Sequence, residues 1–252
     1  MIEIEQVSLR YRDAKILQDV NLTLPKGGLT ALIGPNGAGK SSLLSLIARL
    51  QPLQSGRIRV DGLPVDTTPS RQLARTLAIL RQDAGVASRL RVRELVGFGR
   101  FPHNGGRIDD ADRALIDKAL RQFELEEFAD RFLDTLSGGQ RQRALVAMTF
   151  CQGTGYMLLD EPLNNLDMFF ARQLMRHLRA AVEQQNRTVI VVLHDVNHAA
   201  VYADRIVAMK AGRIVADGAP ADVLRPDVLA DVFGYAIEVT EVAGKPFVLH
   251  HL

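Results

Sequence analysis

The stretch LTALIGPNGAGKSSLLSLIARL, residues 29–50, constrains this chain more than any other. An apolar run of strand length feeds a glycine-rich turn, and the turn opens a segment whose apolar residues recur at helical spacing. Gly34, Gly39, Lys40 and Ser41 fall there at the spacing G-x-x-x-x-G-K-[ST]. In that strand-loop-helix context glycines let backbone N–H donors surround a phosphate, Lys40 meets its charge, and the Ser41 hydroxyl ligates Mg2+. With glycine at about 7% of residues, and lysine, serine and threonine each taken at about 6%, chance supplies this pattern in roughly 1% of chains of this length. The motif is therefore informative by itself, and Asn36, Gly37 and Ser42 join the expected nucleotide-binding set.

Two further apolar runs, YMLLDEP from Tyr156 and TVIVVLHD from Thr188, end in polar residues and flank the helical pattern DMFFARQLMRHLRAAVEQQ. They read as neighbouring buried strands of a parallel sheet, and in such sheets ligands sit beyond the carboxyl ends of the strands. Asp160 is then a metal-holding carboxylate, and Glu161 the group that polarises the water attacking a γ-phosphate. An acidic pair alone is as often a solvated turn; after a buried strand, in a chain with a phosphate loop, that alternative loses its weight. His194 ends the second run, as a hydrogen-bond donor to the γ-phosphate that helps position Glu161, or as a histidine merely satisfied at a strand end. Gln82 follows the short strand LAIL, where a neutral amide can touch the metal and the attacking water; a surface glutamine is the default alternative. Tyr11 suits stacking on adenine, and core packing suits it nearly as well. His103, His177, His198, His250 and His251 have no comparable context and receive no role.

The remaining pattern is an α/β chain with an insertion. MIEIEQVSLRY and VNLTL alternate apolar and polar residues, as does RIRVDG, which predicts antiparallel strands beside the main sheet. RIVAMKAGRIVADG and IEVTEVAGKPFVLHH read as hairpins. Between Arg81 and Tyr156 the periodicity is helical, including DDADRALIDKALRQFEL with Asp109 as its cap. The expected organisation is one α/β domain with a mainly parallel sheet and flanking antiparallel β segments. Residues 1–82 and 155–252 form the catalytic core, and 83–154 an inserted helical lobe.

Charge and cysteine usage exclude other classes. Lysine and arginine total 31 against 29 acids, a net charge of +2 that is too small to argue for nucleic acid or an anionic membrane surface. The single Cys151 fits a reducing compartment and reads as buried filler. The amino terminus lacks a basic-then-apolar signal, and no apolar run approaches the roughly 18 residues of a membrane span. A cytoplasmic product that cannot cross a bilayer alone is expected.

One motif is left over. In TLSGGQRQR, Thr135 to Arg143, Ser137 reads as an N-cap and Gln140 completes a capping box, with N–H groups left to face an anion. Ser137, Gly138, Gly139 and Gln140 thus make a second phosphate cradle, without a lysine.

With the phosphate loop, Gln82, LSGGQ, YMLLDEP, NNLD and His194 in this order, the chain resembles the ATP-binding subunit of an ABC transporter over essentially its whole length. The resemblance implies a P-loop NTPase fold, ATP and Mg2+ as cofactors, and a head-to-tail homodimer in which the signature motif of one copy closes on ATP held by the other. It places Asp167 at the dimer seam and makes Gln82 the reporter of γ-phosphate occupancy to transmembrane permease subunits. The expected site is the cytoplasmic face of the membrane, peripheral through the permease. FGRFPH, Phe98 to His103, and EPLNNLDM, Glu161 to Met168, resemble importers of iron chelates, especially siderophores, and more broadly of vitamin B12 and haem. A periplasmic or surface binding protein is then an indirect partner, and nucleic acid none. Leu163 replaces the threonine common in other subunits, and the asparagines before Leu166 also depart from the usual pattern. The short carboxyl tail predicts no dedicated effector domain. Competing readings are a soluble ABC ATPase remodelling nucleic acid or ribosomes, a nonhydrolysing switch, and an exporter. The near-neutral charge and single cassette weigh against the first, and Glu161 with His194 against the second.

Overall fold

The computed structural model describes residues 1–82 and 89–249, so His250, His251 and the opening of the segment expected to be a helical lobe lie outside the described residues. The chain divides into two compact units, Met1–Thr68 with Met175–Leu252, and Pro69–Leu174.

In the first unit, β1 (Ile2–Tyr11) pairs antiparallel with β2 (Ala14–Leu24) and with β4 (Ser55–Val60), which continues into β5 (Leu63–Pro64). Alternation decides the faces: Ile2, Ile4, Val7 and Leu9 are buried, as are Leu17, Val20, Leu22 and Leu24. Register shifts along β1 coincide with Gln6, whose φ of 52° is that of a bulge. A second sheet is built on β3 (Gly28–Ile33), which runs parallel to β8 (Thr188–Val192) on one side and to β9 (Arg205–Lys210) on the other. β10 (Arg213–Gly218) adds an antiparallel edge as a hairpin with β9. Every residue of β8 is buried, which is why its sequence is a continuous apolar run and not an alternating one. Asp204 anchors the start of β3 by accepting the Leu29 N–H at 2.7 Å, and Arg179 of α7 (Met168–Gln185) holds the same carboxylate at 2.7 Å. The helices α1 (Lys40–Ile47), α8 (Val196–Tyr202), α9 (Pro220–Val223) and α10 (Pro226–Phe233) complete the unit, with the hairpin of β11 (Glu238–Val242) and β12 (Lys245–Leu249). The strands and hairpins read from alternation thus form.

Helix α10 was not among the expected elements. It starts at Pro226, buries Leu229 and Val232, and stops at Gly234 in the left-handed region. A proline at the first position and a glycine past the end are the signals that could have found it.

The second unit holds α2 (Ser70–Thr76), β6 (Leu77–Leu80) and β7 (Tyr156–Asp160), with β6 and β7 parallel, and the helices α3 (Val92–Phe98), α4 (Phe101–Asn104), α5 (Asp110–Gln122) and α6 (Gly138–Cys151). The helices share a core of Val92, Leu95, Val96, Ile116, Leu120 and Phe123, where Phe123 meets Phe150 edge-on with ring centroids 5.0 Å apart. Asp109 caps α5 by accepting the Asp112 N–H at 2.8 Å, as its sequence position predicts. Among the helices the described residues include one antiparallel bridge, Arg91 to Phe132. Cys151 is buried, and desolvation pushes its thiol up to about 11, so it stays protonated and inert at neutral pH.

A buried polar knot ties this unit together. Asp112 accepts from Asn104 Nδ2 at 2.7 Å and from Arg100 Nε at 2.8 Å, while Arg100 Nη1 reaches the Cys151 carbonyl at 3.1 Å. The Asn104 bond first, and the Arg100 bond after it, hold the Asp112 carboxyl below its ordinary 3.8. A carboxyl depressed in the folded state contributes stability above its unfolded value and loses it as pH falls through the folded one. Urea melts should therefore show stability falling below pH 3.8 in the native chain, with a shallower fall in Asp112→Asn. Identical slopes in the two proteins would refute this role for Asp112.

Candidate functional site

The residues singled out from sequence divide between the two units. Tyr11, the loop Gly34 to Ser42 and His194 belong to the first; Gln82, Ser137 to Gln140, Asp160, Glu161 and Asp167 belong to the second.

The loop between β3 and α1 is shaped by close backbone approach. Gly34 has φ of 137°, and a Cβ there would lie 2.0 Å from the Met209 carbonyl oxygen of β9, so no other residue fits. The chain then turns tightly, with Ala38 N–H donating to the Pro35 carbonyl at 3.2 Å, and exposes Asn36 and Gly37 at the tip. Lys40 opens α1 with only 5% of its surface exposed, its Nζ donating to the Gly34 carbonyl at 2.7 Å and the Pro35 carbonyl at 3.0 Å. The ammonium is thus held inside the curve of the loop, at the amino-terminal end of a helix whose first-turn N–H groups have no intrahelical acceptors. Positive charge, helix dipole and backbone donors converge on one concavity, which suits a phosphate. Ser41 and Ser42 follow on the same first turn and are half-buried. Tyr11 ends β1 with 47% of its surface exposed and its hydroxyl on the Gln51 side chain, which excludes the core-packing alternative. His194 lies just past the last residue of β8 and is exposed.

In the second unit β7 is buried throughout and delivers Asp160 and Glu161, which are 6% and 9% exposed, to its carboxyl end. Glu161 takes φ of 51°, breaking the strand at that residue and turning the chain into Pro162 to Asp167. Its Oε2 accepts two amides: Gln82 Nε2 at 2.6 Å and Asn164 Nδ2 at 2.7 Å. Gln82 can do this because β6 runs beside β7 and ends level with it.

The signature segment forms the expected capping box. Ser137 Oγ accepts the Gln140 N–H at 3.3 Å, and Gln140 Oε1 accepts the Ser137 N–H at 3.0 Å. Its second glycine answers a close approach, since a Cβ on Gly139 would lie 2.9 Å from the Asn165 carbonyl oxygen. Gln142 Nε2 donates to the Pro162 carbonyl at 3.0 Å, so α6 is pinned to the turn that follows Glu161. Asp167 caps α7 by accepting the Phe170 N–H at 2.9 Å. Beneath it Arg143 is buried, with its guanidinium carbon 3.9 Å from the Phe170 ring centroid and Nη1 on the Phe123 and Glu124 carbonyls at 3.1 and 3.2 Å. Burial lowers its pKa, while the charges of Glu124 and Asp167 act the other way. Asn164, Gln142 and Arg143 were not picked out by sequence reasoning. Only the unusual asparagine of NNLD carried a signal.

A phosphate loop of this shape, on an α/β unit, with an acidic strand end in the same chain, defines a nucleotide-binding P-loop protein. The sequence profile of the ABC transporter family matches residues 17–164. The petrobactin import ATP-binding protein FatE of Bacillus anthracis is 46% identical over 99% of this chain and 100% of its own length. The petrobactin import ATP-binding protein YclP of Bacillus subtilis is 43% identical over 97% of each chain. Among solved structures, the dimeric post-hydrolysis state of an ATP-binding cassette bound to ADP and Pi superposes with a TM-score of 0.79 at 26% identity, covering 87% of this chain and 98% of that one. The chain belongs to the ABC transporter family, and is an ATPase subunit of it.

Proposed function

We propose that this subunit energises the import of an iron–siderophore chelate, through ATP-driven closure of a head-to-tail homodimer against permease subunits. The observation that carries the ATPase part is the convergence of Gln82 and Asn164 on Glu161 at the end of β7, a carboxylate held at a defined orientation in a chain with a complete phosphate loop. The substrate class rests on relatives named for petrobactin import that match this chain nearly end to end.

In this reading the loop from Gly34 to Ser42 binds the ATP phosphates through backbone donors and Lys40, and Tyr11 stacks on the adenine. Glu161 orients the attacking water and takes its proton as the bond from the γ-phosphorus to the bridging oxygen breaks, giving ADP and phosphate. His194 hydrogen-bonds the γ-phosphate. Among the described residues no group of three or more His, Cys, Asp and Glu side chains is placed to hold a metal ion. Mg2+ keeps waters and phosphate oxygens and takes only one or two protein carboxylates, and Asp160, delivered by β7 to its carboxyl end, suits that demand. Ser41, Gln82 and Asp160 are its proposed contacts; when bound it neutralises phosphate charge. Ser137 to Gln140 and Asp167 serve the nucleotide on the second copy, and the insertion 83–154 acts as the lobe that carries Ser137 to Gln140.

No helix among the described residues is long and apolar enough to cross a membrane. The permease seat in this reading is a cavity of 470 Å3 in the second unit, lined by Phe98, Phe101, Ile108 and Ile116 together with Arg93 and Asp117. Phe98 and Phe101 are exposed and belong to the segment resembling iron-chelate importers. The protein is then peripheral, at the cytoplasmic face, with a substrate-binding protein as indirect partner. Co-reconstituted with its permease and binding protein in liposomes, it should hydrolyse ATP faster when a ferric siderophore is supplied, and accumulate iron inside. Stimulation by an unrelated solute and none by any ferric chelate would overturn the substrate assignment.

A further inference from the structure

We infer that Asn164 is a positioning residue for ATP hydrolysis, holding the Glu161 carboxylate by a contact independent of Gln82. The inference rests on the reading of Glu161 as the group that activates water, and gives a role to a residue of the NNLD segment that sequence reading left without one.

Three observations converge on this. Asn164 Nδ2 donates to Glu161 Oε2 at 2.7 Å, and the Asn164 backbone N–H donates to the Glu161 carbonyl at 3.3 Å, so the side chain and the main chain return to the same residue. Asn164 itself is not among the residues with positive φ; that role falls to Glu161 and Asn165, at 51° and 62°. The identity at position 164 is therefore not demanded by backbone conformation, and the amide is left with the carboxylate as its evident task. Finally, the two amides reaching Oε2 differ in origin. Gln82 comes from the end of β6, 79 residues away, whereas Asn164 sits in the turn Glu161 itself begins.

The consequence is physical. A glutamate carboxylate rotates broadly about its last torsion, and a base must aim a lone pair at water to within hydrogen-bond tolerance. Two N–H donors on one oxygen fix that rotation and direct the other oxygen. Because Asn164 sits in the turn that Glu161 begins, its hold on the carboxylate does not depend on the β6–β7 pairing that brings in Gln82. A donor is required: an acceptor at 164 would face the Glu161 oxygen lone pair to lone pair and could not hold it.

The test compares Asn164→Ala and Asn164→Asp with the native chain and with Glu161→Gln, reading kcat and KM for ATP. Asn164→Ala is expected to lower kcat about tenfold with KM for ATP unchanged, as loss of aim without loss of binding predicts. Asn164→Asp preserves shape but replaces the donor with an acceptor, and should lower kcat at least as far, again with KM unchanged. A purely structural asparagine would instead move KM in step with kcat. Both variants within twofold of native kcat, or KM rising in step with any fall in kcat, with an inactive Glu161→Gln, would overturn the inference alone. Full turnover by Glu161→Gln would overturn the reading beneath it.

Discussion

Glu161→Gln should bind ATP as the native chain does, lose at least about a hundredfold in turnover, and accumulate as an ATP-bound dimer. The size of the loss is that of removing a general base. Glutamine keeps the length and an acceptor oxygen with two lone pairs, so both bonds that Gln82 and Asn164 make to one oxygen, now 2.6 and 2.7 Å, can persist. It also keeps an unbranched side chain at a residue with φ of 51°. The fold should therefore survive and the defect stay chemical. Binding without hydrolysis leaves the closed form populated by mass action. Size-exclusion with ATP and Mg2+, together with phosphate release, reads both effects; a monomer with undiminished turnover would remove Glu161 from the chemistry.

Lys40→Ala should act earlier, on binding itself. The ammonium is buried against the Gly34 and Pro35 carbonyls at 2.7 and 3.0 Å, so it is already ordered at the loop and little side-chain entropy remains to be lost when phosphate arrives. Losing a charge-assisted contact of this kind costs about 3 kcal/mol, or roughly a hundredfold in ATP affinity. Calorimetric titration measures it, and unchanged affinity would deny Lys40 its role. A thermal melt without nucleotide separates this from unfolding.

Much of this was legible in the sequence because local chemistry writes local structure. The phosphate loop combines strand, glycine turn and helix in one stretch, and the Ser137 to Gln140 box closes within a single turn. The hairpins followed from alternation. Long-range placement was harder to read. Whether Tyr11 is packed or exposed depends on what covers the end of β1, and Gln82 meets Glu161 only because β6 lies beside β7. Asn164 was hidden for a different reason: its sequence signal was a departure from family pattern, and only the distance to Oε2 gives the departure a purpose. Arg143 carried no signal at all, since a cation in a helix reads as surface until its burial on Phe170 is seen.

The proposed mechanism requires a catalytic pocket shared by two copies, each lending its signature segment to the other's nucleotide. Mixing Lys40→Ala chains with Ser137→Asp chains tests this most directly. Aspartate caps a helix as well as serine does, so the second variant keeps the start of α6 while setting a negative charge against the γ-phosphate. Each variant alone should be inactive. Random pairing makes half the dimers mixed, each with one intact pocket, so the mixture should regain roughly a quarter of native ATP turnover. A mixture no more active than its components, or a lone Ser137→Asp chain with full turnover, would contradict the shared pocket.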